Sequence, residues 1–326
     1  MSVLTKDIYL GSYLAPLASY LARDDITDIY INRPGELWIE VLGGKVERVE
    51  AADLTSTVLG RLARQIAATS AQGVSREHPL LSASLPDGSR VQIILPPATR
   101  GDIALAIRKH VAAGMSLQDY AEAGALDQTQ VVSRGGSTKK LEPSDADQMT
   151  LLRAAVRSRK NVLIAGGTST GKTTFLNALL QEIAQDERLI LIEDTPELSL
   201  THPNAIGLLA ARSALGEAEV TAEDLLIASL RMRPDRIILG EMRSKEALTF
   251  LRAVNTGHPG SLSTIHADSP ERAIDQLALL VLQTGMRMAW EDVTHYIERS
   301  IDLIVQLGRR DGVRRIEQIM WLDRAT

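Results

Sequence analysis

Apolar positions along the chain follow two rhythms. Up to about residue 110 they form short strand-like runs broken by glycine, proline and aspartate; beyond residue 143, strand-like runs alternate with stretches at helical spacing. The first region predicts a compact α+β domain, assigned here to residues 1–126. In it, Leu37–Leu42 and Lys45–Val49 flank Gly43-Gly44, a pair that supplies the positive φ a hairpin turn requires. Asp53 is positioned to cap a helix through Ser70 with Leu54, Val58, Leu62 and Ile66 inward. Strands Leu80–Leu85 and Arg90–Leu95 flank Pro86-Asp87-Gly88-Ser89, and a further strand runs Ile103–Arg108.

The tract 127–142 has almost nothing to bury and reads as a flexible linker. Ser144 and Asp147 then open a helix leading to the apolar run Val162–Ala165. Later strands are expected at Leu189–Ile192, Arg236–Leu239, Ser261–Ile265, Leu303–Leu307 and Arg315–Leu322. Helices are expected at Thr221–Met232, where Asp224 is a capping partner, and at Lys245–Val254, Glu271–Leu282 and Trp290–Arg299. Such alternation over 143–326 builds a largely parallel sheet covered by helices on both faces. The apolar stripe Leu277, Leu279, Leu280, Val281 and Leu282 reads as core.

Composition narrows the field. With 326 residues and a net charge of −5, the chain is an ordinary two-domain length without a long basic block, which disfavours nucleic acid as the main partner. It has no cysteine, so disulfides and thiolate metal sites are excluded. No apolar run approaches the ~18 residues of a membrane span. Ile8–Ala22 places Leu10, Leu14, Leu17 and Leu21 on one helical face, while Lys6-Asp7 and Pro16 make a poor signal peptide. It reads as a helix packed on the first domain, with peripheral membrane contact as the alternative.

The sharpest signal is Gly166, Gly167, Thr168, Ser169, Thr170, Gly171, Lys172 and Thr173, which fit G-x-x-x-x-G-K-S/T between a strand and a helix that continues from Thr174. Backbone N–H groups of such a loop cradle phosphates, Lys172 adds a charge for the outer phosphates, and the Thr173 hydroxyl is placed to ligate Mg²⁺. A nucleoside triphosphate with Mg²⁺ is therefore the expected ligand. A parallel sheet presents its strand ends at one edge, so residues just past each strand converge there. Glu193, Glu241 and His266 follow three of those strands. Glu241 has the position of a carboxylate that orients water against the γ-phosphate, Glu193 a comparable one, and His266 that of a γ-phosphate sensor. Asp235, at the opposite end of its strand, is a poorer candidate, and His258 a weaker one than His266.

Four ordered motifs carry a resemblance: the phosphate loop, the acidic box 192–198, the region 230–243 and the histidine box 256–267. Together with Asp28–Glu36 and Leu85–Ile93, they resemble the VirB-class traffic ATPases of bacterial type IV secretion systems. The resemblance implies a RecA-like P-loop NTPase domain after the N-terminal domain, a homohexamer and inner-membrane secretion partners. It also implies a cytoplasmic protein peripheral at that membrane, powering substrate transport or pilus assembly. Arg90 and Arg108 align with first-domain arginines that reach the phosphates in that family. Ser169 departs from the family's common glycine, a substitution costly if φ is positive there. Pilus or type II secretion motors are the alternative, although the four-cysteine motif of many of them is impossible here. A RecA-like nucleic-acid motor and a nucleotide-gated scaffold are further alternatives.

Overall fold

The computed structural model describes residues 10–42, 44–70, 72–109, 114–134, 148–210, 219–310 and 313–322. The chain divides into two compact units, one of 1–111 with 211–219 and one of 112–210 with 220–326.

The first unit is built on a six-stranded sheet ordered β3-β2-β1-β6-β5-β4. Its strands are β1 Ile26–Ile31, β2 Gly35–Val41, β3 Val46–Ala51, β4 Leu80–Ser84, β5 Arg90–Ile94 and β6 Ala104–Arg108. Every pairing is antiparallel. Helix α1, Ser56–Thr69, buries Leu59, Leu62, Ala63 and Ile66 against the core of this unit. Its cap is Thr55, whose side chain accepts from Val58 N, rather than Asp53; the later start brings Leu59 inward in place of Val58. The β2–β3 turn carries Gly44 at φ 85°, while Gly43 lies outside the described residues. Leu10 and Leu17 are buried in the same core, so the apolar face of the first helical segment packs on this unit. Among the described residues no helix is long and apolar enough to cross a membrane.

The second unit carries an eight-stranded sheet ordered β10-β9-β11-β12-β8-β13-β14-β7. Its strands are β7 Gln130–Arg134, β8 Val162–Gly166, β9 Leu189–Glu193, β10 Ala205–Leu209, β11 Arg236–Leu239, β12 Leu262–Ile265, β13 Leu303–Arg310 and β14 Val313–Leu322. All neighbours are parallel except the β13–β14 hairpin. Central strands are buried on both faces, as helical layers on each side require. Leu163 and Ala165 join a core with α6 (Glu246–Asn255), α7 (Pro270–Leu282) and α8 (Trp290–Ser300). Val162 and Ile164 face the opposite core with α2 (Leu117–Glu122), α3 (Gln148–Arg157) and α4 (Lys172–Leu180). Helix α5, Ala222–Ser229, opens with the expected Thr221–Asp224 capping box.

Part of the tract read as a linker is a strand: β7 pairs in parallel with β14 from Gln130 opposite Gln318 to Arg134 opposite Leu322. Val131 packs toward one core and Val132 toward the other, and β14 supplies the ladder that makes so short a strand viable. Residues 135–142, Ser144 and Asp147 lie outside the described residues. Leu117, Tyr120 and Leu126, expected in the first domain, are buried in the second unit's core. In α7, Leu277, Leu280 and Val281 are buried while Leu279 is exposed, because a residue two positions from Leu277 points off the inward face.

Candidate nucleotide site

The loop between β8 and α4 is shaped by close contacts that tolerate few side chains. A methyl group on Gly166 would stand 2.5 Å from Thr170 Oγ1 and 3.1 Å from the Leu307 carbonyl oxygen. Thr170 Oγ1 donates to the Gly167 carbonyl at 2.9 Å, closing the loop on itself. Gly171 caps α4 at φ 92° in the left-handed region, and Ser169 lies there too at φ 60°. The serine thus holds a left-handed backbone, which is costly for a residue with a side chain. Thr168 and Ser169 are exposed, while Thr173 and Thr174 are half-buried in the first turn of α4. The unpaired amides of that turn and the positive end of the helix dipole suit an anion.

Lys172 folds over this loop. Its Nζ donates to the Gly166 carbonyl at 2.9 Å and the Gly167 carbonyl at 3.1 Å, and lies 3.9 Å from Glu241 Oε1. Burial holds its pKa below the ordinary lysine value, Glu241 opposes that shift, and Arg243 reinforces it.

Strands β9 and β11 are parallel neighbours, with Leu239 opposite Ile192, so Glu193 and Glu241 emerge on one rim. Gly240 makes their approach feasible: a methyl group there would lie 3.4 Å from the Ile192 carbonyl oxygen and 3.5 Å from Glu193 Cγ. Glu241 Oε2 accepts from Arg243 Nε at 2.6 Å, and a second guanidinium nitrogen contacts the same oxygen. Arg243 Nη1 reaches Asp194 Oδ2 at 3.0 Å. Lys172, Glu241, Arg243 and Asp194 therefore form a row of alternating charge. Burial disfavours the Arg243 cation, but Glu241 and Asp194 more than offset this and raise its pKa. The turn itself is clamped by buried Glu246, whose Oε1 accepts from Arg243 N at 2.6 Å and Ser244 N at 2.7 Å.

Glu193 is oriented differently from Glu241. Its Oε1 accepts from the amides of Glu197 and Leu198, both at 2.8 Å, so the carboxylate shapes the acidic loop that follows β9. His266 is exposed one residue beyond Ile265, which lies opposite Ala165 of the phosphate-loop strand. Asp268 comes close as well, its Oδ1 3.9 Å from where a methyl group on Gly167 would stand. His258 contacts the Pro234 carbonyl at 3.1 Å, ahead of β11 and away from this rim, and Asp235 accepts from Arg188 N at 2.7 Å there. Arg90 and Arg108 belong to the first unit, where they lie opposite each other on β5 and β6. Arg243, the last residue of the region 230–243, bridges Glu241 and Asp194, a role not expected from the sequence. The charge alternation Glu-Met-Arg just past a strand was the available signal.

Residues 12–314 match the family model described as "Type II/IV secretion system protein". The type IV secretion system protein VirB11 of Bartonella quintana is 36% identical over 98% of this chain and 92% of its own length. The solved VirB11 ATPase of the Brucella suis type IV secretion system, in complex with sulphate, is 34% identical with a TM-score of 0.50, covering 98% of this chain and 96% of that one. The pilus retraction motor PilT with bound ADP shares the fold, with a TM-score of 0.62 at 20% identity over 97% of this chain and 83% of that one.

Proposed function

Because the chain belongs to the type II/IV secretion system protein family and is an ATPase of it, we propose that it works as a homohexameric motor of a type IV secretion system. Hydrolysis of ATP at the 166–173 loop drives substrate transport or pilus assembly. The observation that carries this reading is the 3.9 Å approach of Lys172 Nζ to Glu241 Oε1, which sets a phosphate-binding cation beside a carboxylate able to orient water.

In this reading the loop amides and Lys172 bind the phosphates, and Glu241 orients the attacking water. Arg243 fixes the Glu241 carboxylate, Glu193 holds the acidic loop, and His266 senses the γ-phosphate. Mg²⁺ fits the donor set, since Thr173 offers a hydroxyl and the neighbouring acids offer only oxygen, the ligand type that this ion prefers. When bound it would offset charge developing on the transferred phosphoryl group. Arg90 and Arg108 are assigned to the terminal phosphate by resemblance. The protein acts from the cytoplasm, at the periphery of the inner membrane, with inner-membrane secretion components as partners.

Steady-state ATPase measurements combined with the mass of the assembly test the proposal. Turnover by a six-subunit particle that copurifies with inner-membrane type IV secretion components is the expected result. A monomer without turnover would overturn it.

A further inference from the structure

We infer that Arg314 is a further nucleotide ligand, a guanidinium that reaches the two phosphates ATP and ADP share. This rests on nucleotide binding at the 166–173 loop.

Strand β8 ends at Gly166 opposite Leu307, whereas β13 continues to Arg310 before the chain returns along β14. The hairpin therefore runs on past the end of the strand that delivers the phosphate loop. Arg314 lies against that loop: a methyl group on Gly171 would stand 3.1 Å from its Cδ, 3.5 Å from Nε and 3.7 Å from Cζ. Gly171 is thus required twice, once for its φ of 92° and once for the space the arginine fills.

The electrostatics of this position are unusual. Arg314 is half-buried and has no hydrogen bond or ion pair among the described residues. Its cross-strand neighbour is another cation, Arg309. On its other side is Gly171, the N-cap of α4, where the helix dipole and the unpaired amides are positive. Tyr120, whose ring meets that of Phe175 in α4 at 5.2 Å, is also close enough to respond. Burial pushes the Tyr120 phenol up to about 12 while the Arg314 charge pulls it back. A partly desolvated cation flanked by positive charge is unfavourable by itself, and an anion on the loop would attract the guanidinium and offset that cost.

Phosphate-loop amides cradle the α- and β-phosphates, while the loop lysine reaches the β- and γ-phosphates. Because Arg314 borders the amide-bearing residue that opens the helix, its partners are phosphates common to the di- and triphosphate. It therefore raises affinity for both nucleotides without distinguishing them.

The test is calorimetric titration of the full chain and its Arg314→Ala and Arg314→Lys variants with ADP and with ATP, alongside thermal unfolding without nucleotide. Arg314→Ala should weaken ADP and ATP alike by about tenfold or more, the scale of a charge-assisted hydrogen bond. Arg314→Lys should recover part of the loss, because it keeps the charge but not the planar fork. The nucleotide-free unfolding temperature of Arg314→Ala should equal or exceed that of the parent, since the variant removes a cation from a positive neighbourhood. Unchanged affinity for both nucleotides, a loss confined to ATP, or a nucleotide-free protein that unfolds at lower temperature would overturn the inference. Failure of the parent chain to bind either nucleotide, or full binding by Lys172→Ala, would instead overturn the reading of the loop itself.

Discussion

Arg90 and Arg108 stand directly opposite each other on adjacent antiparallel strands. Like charges in that position repel, and Asp28, the partner of Arg108 on the other side, offsets part of the cost by accepting from Arg108 Nε at 2.8 Å. A pair of cations maintained against repulsion is suited to meeting a polyanion. If both read the γ-phosphate, alanine at either position should weaken ATP more than ADP and slow hydrolysis. Parallel affinity measurements decide it, and equal losses for the two nucleotides would remove these arginines from the coupling mechanism.

Lys172 and Glu241 should separate binding from chemistry. Lys172→Ala is expected to abolish productive triphosphate binding or turnover in a folded protein, because the side chain touches loop carbonyls rather than the core. Glu241→Gln should still bind ATP yet turn over about 10²-fold more slowly or worse, the scale of general-base catalysis. Should Glu193→Gln cause the larger loss of rate, the two acids would exchange roles.

Arg243 offers a test of carboxylate orientation. Removing its guanidinium frees Glu241 from the contact at 2.6 Å and Asp194 from the one at 3.0 Å. Arg243→Ala should lower kcat by about tenfold while changing ATP affinity little, since positioning terms act mainly on the transition state. Asp194→Asn should produce a smaller loss, and the double variant should be no slower than Arg243→Ala alone. Additive losses would show that the two residues act independently.

Ser169 holds a left-handed backbone at φ 60°. Replacing it with glycine relieves that strain but loosens the unfolded chain, so Ser169→Gly should raise nucleotide-free stability by no more than about 1 kcal/mol. Denaturant unfolding reads the difference, and a clear loss of stability would mean that the serine side chain contributes contacts worth more than the strain.

Features decided by local chemistry were legible in the sequence. The phosphate loop, the Thr221–Asp224 capping box and the turn at Gly88 each depend on residues a few positions apart. What escaped depends on distant partners. Strand β10 exists because Ala205–Leu209 finds β9, and β7 because Gln130–Arg134 finds β14, more than 180 residues further on. The same holds within the site: Glu193, Glu241 and His266 were recognisable as strand-end residues, whereas the Arg243–Asp194 contact spans 49 positions. That Glu193 Oε1 faces two backbone amides was likewise hidden, since the composition of the acidic box does not say which of its groups fold inward.

The parallel pairing of β7 with β14 bears on how this protein can be cut apart in the laboratory. A truncation that starts after the polar tract would look conservative on paper, yet it would strip the sheet of its terminal strand, remove the buried Leu117, Tyr120 and Leu126, and bare the backbone ladder of β14 to solvent. A fragment meant to isolate the ATPase half should therefore begin ahead of Leu117, and a tag or protease site inserted at 130–134 would act as a wedge in the fold rather than as a harmless insertion.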